Sequence, residues 1–134
     1  MRVVLDSNIY VSAILFGGIP ELPIRLALAG KITILISEAI LSEVTGVLSS
    51  KFGWTDKQVA GLEKAIRSFA TVIDVSSVLT AIAEDTADNR ILECAVDGEA
   101  DLIVTGDRHL SQLTAYGDIR IVSPREFAQE LGLA

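Results

Sequence analysis

The chain has one cysteine and one histidine. With Cys94 alone, an internal disulfide and a thiolate metal cluster are both excluded. Cys94, within RILECAV, reads as a small core residue. No apolar run is long enough to span a bilayer, so no membrane association is expected. A signal peptide is not expected either, because MRVVLDSNIY reaches Asp6 before an apolar stretch of the needed length can form. The expectation is a cytoplasmic protein. Basic residues are scarce: 11 Lys and Arg stand against 18 Asp and Glu, a formal charge of -7. This argues against a nonspecific nucleic-acid binder, which would present a basic face to phosphates. It leaves room for an enzyme that reaches phosphates through metal ions, or for a basic protein partner. Internal repeats, low-complexity tracts and linkers are also missing.

What is present suits one domain over residues 1–134. Half of the 134 residues are hydrophobic, enough for a substantial core and well clear of disordered compositions. The pattern alternates. RVVLD (2–6), ITILIS (32–37), TVIDV (71–75), LIVT (102–105) and IRIVS (119–123) are short apolar runs that predict strands. NIYVSAILF has apolar residues at helical and strand spacings alike and is ambiguous. ELPIRLALAG predicts a helix stopping at Gly30. Ser37 can cap a helix over EAILSEVTGVLSSKF, and TDKQ (55–58) fits a capping box opening a helix to about Ala70. SVLTAIA (77–83) reads as a short helix. ADNRILECAVDG (87–98) reads as a helix with Ile91, Leu92, Ala95 and Val96 on one face. SPRE (123–126) combines an N-cap Ser, Pro at the first helical position and Glu three beyond the cap.

Strands separated by helices predict a parallel sheet covered on both faces. Such sheets bind ligands beyond the carboxyl ends of their strands, at a topological switch point. Four acids can approach that edge. Asp6 directly follows the first strand and Asp107 lies two residues after the fourth. Glu43 falls on the helix after the second strand, among Ile40, Leu41, Val44 and Val47, where a solvated charge is not expected. Asp88 falls in the first turn of the helix before the fourth strand. Each alone has an ordinary reading as a cap, a turn residue or a solvated helix charge. Together they point to a site, because clustered carboxylates repel unless protons or cations intervene. Oxygen ligands without His or Cys favour Mg²⁺ or Mn²⁺ over Zn²⁺. Two such ions roughly 3.5–4 Å apart suit phosphodiester hydrolysis.

At VVLDSNIYVSA, SEAILSEVTGVL, DTADNRILECA and ADLIVTGDRHL the chain resembles the PIN-domain nucleases, many of them toxin components of bacterial and archaeal toxin–antitoxin pairs. The resemblance implies a PIN-like (Rossmann-like) α/β three-layer sandwich with a five-stranded parallel sheet, and a Mg²⁺- or Mn²⁺-dependent ribonuclease. By motif position Asp6, Glu43, Asp88 and Asp107 look like the family's catalytic metal-site acids, with Asp85 competing with Asp88. Asn8 and Thr105 look like supporting residues. Gly106 would let the backbone turn, and Asp101 would cap or turn the start of the fourth strand. Arg90, Arg108 and His109 are optional contacts to an RNA substrate. An antitoxin partner and a homodimer or higher assembly are implied as well. The alternative is a catalytically silent scaffold that binds RNA or a protein.

Other phosphate-handling folds fit less well. A haloacid-dehalogenase-like phosphotransferase would place a second Asp at position 8, where this chain has Asn. A receiver domain would need an early acidic pair and a phosphorylatable Asp after its third strand. A dinucleotide-binding fold would need G-x-G-x-x-G after the first strand, and DSNIYV has no glycine.

Overall fold

Short runs rich in branched apolar residues make the central strands of this protein, with Asp6, Ser37, Thr105 and Ser123 following four of them. A computed structural model describes residues 1–79 and 86–132. The strands are β1 (Arg2–Leu5), β2 (Thr33–Ile36), β3 (Ala70–Val72), β4 (Leu102–Val104), β5 (Ala115–Tyr116) and β6 (Ile119–Val122). The helices are α1 (Ser7–Phe16), α2 (Leu22–Leu28), α3 (Glu38–Phe52), α4 (Asp56–Phe69), α5 (Thr86–Asp97), α6 (Arg108–Ser111) and α7 (Pro124–Glu130).

The sheet order is β3-β2-β1-β4-β6-β5. The chain builds β1, β2 and β3 outward in one direction, then crosses to place β4 on the other side of β1. The switch point therefore lies between β1 and β4. Consecutive strand residues point to opposite faces. Val3, Val4 and Leu5 are all fully buried, as are Ile34, Leu35 and Ile36. Both faces are thus covered, with α5 packing against β1, β2 and β4 and α2 against β2. The layered α/β architecture predicted from the alternating pattern is present.

The sheet has six strands, where five were expected. Its parallel members fall on the five predicted runs, the third covering Ala70–Val72 where 71–75 was expected. The sixth, β5, has two residues and pairs antiparallel with β6 across a tight turn at Gly117 and Asp118, with Gly117 at φ 60°. Two residues are too few to show any periodicity. NIYVSAILF is helical as α1, stopped at Gly17 with φ 68°. The ELPIRLALAG helix starts at Leu22, after a 3₁₀ turn at Ile19–Glu21. Both predicted capping boxes are made, at Thr55–Gln58 and at Ser123–Glu126. Of the helix expected over SVLTAIA, residues 77–79 are irregular, and 80–83 lie outside the described residues. The α5 core face consists of Ile91, Leu92, Cys94 and Ala95, whereas Val96 faces outward. Cys94 is the core residue its context predicts, and burial pushes its thiol pKa up to about 12.

Gly98 closes α5 inside the core. A Cβ there would sit 2.8 Å from the Cys94 carbonyl oxygen, 2.8 Å from Leu35 Cδ1 and 3.1 Å from Ile73 Cγ1. The backbone oxygen cannot give way as a flexible side chain could. Gly98→Ala should lower unfolding free energy by about 1–3 kcal/mol, read from the denaturant midpoint, while Gly46→Ala, with open space around it, should not.

Candidate active site at the carboxyl edge of the sheet

Register places the first two site residues side by side. Leu5 of β1 pairs with Val104 of β4, so the next residues, Asp6 and Thr105, emerge together at the switch point. The ladder extends to them, since Asp6 N donates to Val104 O (3.0 Å) and Thr105 N donates to Val122 O (3.0 Å). Asp6 is only 5% exposed and Thr105 is fully buried. A buried carboxylate must be hydrogen-bonded to offset its lost hydration. Thr105 Oγ1 donates to Asp6 Oδ2 at 2.6 Å. Ser7 Oγ and the Asn8 backbone amide donate to Asp6 Oδ1 at 3.2 and 3.3 Å. Asp6 is also the N-cap of α1, where the helix dipole favours negative charge.

Asp107 is tied to the same hydroxyl, because its backbone amide donates to Thr105 Oγ1 at 3.0 Å. Its own Oδ1 accepts from the amides of His109 (2.8 Å) and Leu110 (3.1 Å), so it caps α6. Among the described residues those bonds use Oδ1 alone, leaving Oδ2 for another ligand. Capping and ligation are thus compatible. Asp6, Thr105 and Asp107 form one connected unit.

The other two predicted acids come from helices. Asp88 is buried at 4% exposure in the first turn of α5. Glu43 is half-buried on α3, beside the buried Ile40, Leu41 and Val44. Helix α3 packs against α1 and α5, the helices that begin at Asp6 and carry Asp88. Among the described residues no three His, Cys, Asp or Glu side chains are arranged to hold a metal ion. The donor chemistry fits a hard divalent cation, since all four residues offer carboxylate oxygens. Of these, Asp6 and Asp107 are joined through the Thr105 hydroxyl.

The supporting residues divide. Thr105 bridges as described, whereas Asn8 reaches Asp6 through its backbone amide, and its side chain is exposed. Asp101 Oδ2 accepts from Arg2 N at 2.8 Å and so fixes the start of β1 beside β4, as expected of a strand-start acid. Gly106 does not have the expected steric role: its φ is not positive, and an added Cβ would meet nothing within 4 Å. Arg108 and His109 are exposed on the short α6. Asp85 lies outside the described residues.

Arg90 is engaged by Glu93, a residue not singled out from the sequence. Its Nε and Nη2 donate to Glu93 Oε1 and Oε2, both at 2.6 Å. The Glu93 side chain is 5% exposed and that of Arg90 37%. Burial raises the Glu93 pKa, but the Arg90 hydrogen bonds and the Leu79 amide at 2.8 Å outweigh it and hold the carboxyl below its ordinary range. The available signal was a charge inside the buried run RILECA, three residues after an arginine.

A PIN domain profile matches residues 2–109, which span all four acids. The chain belongs to the PIN-domain family. Its fold is similar to that of solved structures at low identity. VapBC2 of Rickettsia felis, solved bound to a DNA fragment from its promoter, matches with a TM-score of 0.67 and 22% identity over 92% of this chain and 98% of that one. VapBC-1 of nontypeable Haemophilus influenzae matches at 0.63 and 12% identity, covering 93% and 99%. PAE2754 of Pyrobaculum aerophilum matches at 0.58 and 18% identity, covering 99% and 90%. Comparison with curated proteins gave no match.

Thr105→Val keeps the shape and removes the bridging hydroxyl. It leaves a buried carboxylate oxygen and the Asp107 amide without this partner. Stability should fall by about 1–3 kcal/mol, while Thr105→Ser should retain most of it, both read by denaturant unfolding.

Proposed function

We propose that this PIN-domain protein is a Mg²⁺- or Mn²⁺-dependent endoribonuclease and the toxin of a toxin–antitoxin pair. The observation that carries the reading is the Asp6–Thr105–Asp107 unit at the sheet's switch point, within a family whose members are typically nucleases. Asp6 and Asp107 would supply the strand-end ligands, and Asp88 and Glu43 those from α5 and α3. Thr105 would fix both aspartates without touching the substrate, in the way that residues behind metal ligands orient them. A bound cation would neutralise the acids, polarise a phosphoryl oxygen and lower the pKa of a water at the site. Attack on phosphorus would be in line and by water, with no covalent intermediate. The similar VapBC structures support a protein antitoxin as the partner, and the charge of -7 suits a basic segment of it. A homodimer and a cytoplasmic location complete the proposal.

The silent-scaffold reading draws on one observation, the lack of a ready three-ligand group among the described residues. Cleavage of an RNA pool by antitoxin-free protein decides between the two. The nuclease reading expects cleavage with Mg²⁺ or Mn²⁺ and none with a chelator. Asp6→Asn and Asp107→Asn should each reduce the rate by more than about 100-fold with the circular dichroism spectrum retained. No metal-dependent cleavage of any pool would favour the scaffold.

A further inference from the structure

A cleft of about 430 Å³ opens at the carboxyl ends of β2 and β3, lined by Ser37, Ile73, Ser76, Ser77, Arg90 and Glu93. It shares the carboxyl edge with Asp6 and Asp107. The sheet order puts β2 next to β1, so the cleft begins one strand spacing, about 4.8 Å, from the strand that delivers Asp6. Arg90 stands two residues after Asp88 on α5.

The chemistry of the cleft selects the kind of group it takes. The Arg90 guanidinium is held edge-on by both oxygens of a buried carboxylate. In such a fork the carboxylate lies in the guanidinium plane, so both faces of that plane are unused by it. Glu93 also cancels the charge of Arg90. Two more acids, Glu38 and Asp74, line the same cleft, and Glu38 is itself paired with Arg67 at 2.8 Å through both oxygens. A phosphate would find both of these arginines already paired with carboxylates and gain little there. A neutral planar group would stack on the guanidinium, as bases do on arginine planes, with the exposed Ser76 at its rim, while Ser37 caps α3 and the Ser77 hydroxyl donates to Asp97. The wall is held in place: Asp97 accepts from the amides of Ser76 (2.7 Å) and Ser77 (2.9 Å), and Glu93 from that of Leu79 (2.8 Å).

We infer that this cleft is a nucleobase subsite, with the Arg90 guanidinium as its stacking face and Glu93 as the positioning residue that holds that face. Resting on the ribonuclease reading, the inference makes the subsite the place where a base flanking the scissile phosphate is read.

Nuclear magnetic resonance on metal-free protein tests it directly. The four nucleoside 5′-monophosphates should shift the Ser76 and Ser77 amide signals and the Arg90 Nε–H signal, while ribose 5-phosphate should not. Arg90→Lys keeps the charge but lacks the plane, and should weaken nucleotide binding about 5- to 10-fold. Glu93→Gln should weaken it too, with Arg90 Nε–H broadened. Equal shifts from ribose 5-phosphate, undiminished binding by Arg90→Lys, or no shift with any nucleotide would overturn the subsite. In a cleavage-mapping arm on a random RNA pool, Arg90→Lys should alter the base preferred beside the cut. An unchanged preference would likewise overturn the assignment. Base-dependent shifts in a protein that cleaves no RNA would uphold the subsite and remove the nuclease reading.

Discussion

Placing a carboxylate at the end of a core strand imposes a constraint that the rest of the edge must satisfy. Asp6 is largely withdrawn from bulk water, so its charge is met by amides, hydroxyls and a helix terminus. The decisive partner is Thr105, because a hydroxyl has a single proton. That proton is committed to Asp6, so the Asp107 amide can only approach the hydroxyl's lone pair. The bonds therefore run one way, from Asp107 through Thr105 to Asp6. One buried oxygen fixes the rotamer of the first acid and the backbone of the second. The β1–β4 register makes this possible by bringing position 6 level with position 105.

Much of this was legible in the sequence because it depends on local pattern. Branched apolar runs marked the five parallel strands, and Ser37, Thr55 and Ser123 marked helix starts through their hydroxyls. Asp6 and Asp107 could be placed at the carboxyl edge of the sheet because each follows a core strand. What was not legible depends on partners far away in the chain. Strand order is set by where β4 packs after its crossover, and no spacing records that. In α1 the apolar residues surround the helix, so periodicity could not separate it from a strand. β5 exists only because β6 lies beside it. Glu93 resembles any surface glutamate until its burial against Arg90 is seen. Gly106 shows the opposite error, since a glycine within a familiar motif was given a steric duty that its open surroundings do not require.

Helix α5 joins the parts of this edge. Asp88, Arg90, Glu93 and Asp97 recur along it at spacings of two to four residues. Arg90 and Glu93 pair on one face of the helix. Asp88 stands at its N-terminal end, Arg90 and Glu93 line the cleft, and Asp97 holds the segment that walls the cleft. The helix is anchored beneath by Leu92, Cys94 and Ala95 against three strands. The acid end and the cleft therefore belong to one rigid element.

The two outer strands have a different importance. A sheet's outer strands present unpaired backbone groups that invite other chains to join. Here one margin is β3, with three residues, and the other is β5, with two. The four-residue strands β1 and β2, buried over their last three residues, lie inside these short margins. A stray strand arriving from either side would find too little backbone to form a lasting ladder. The same brevity that hid β5 from pattern reading thus guards an apolar sheet against fibrous self-association.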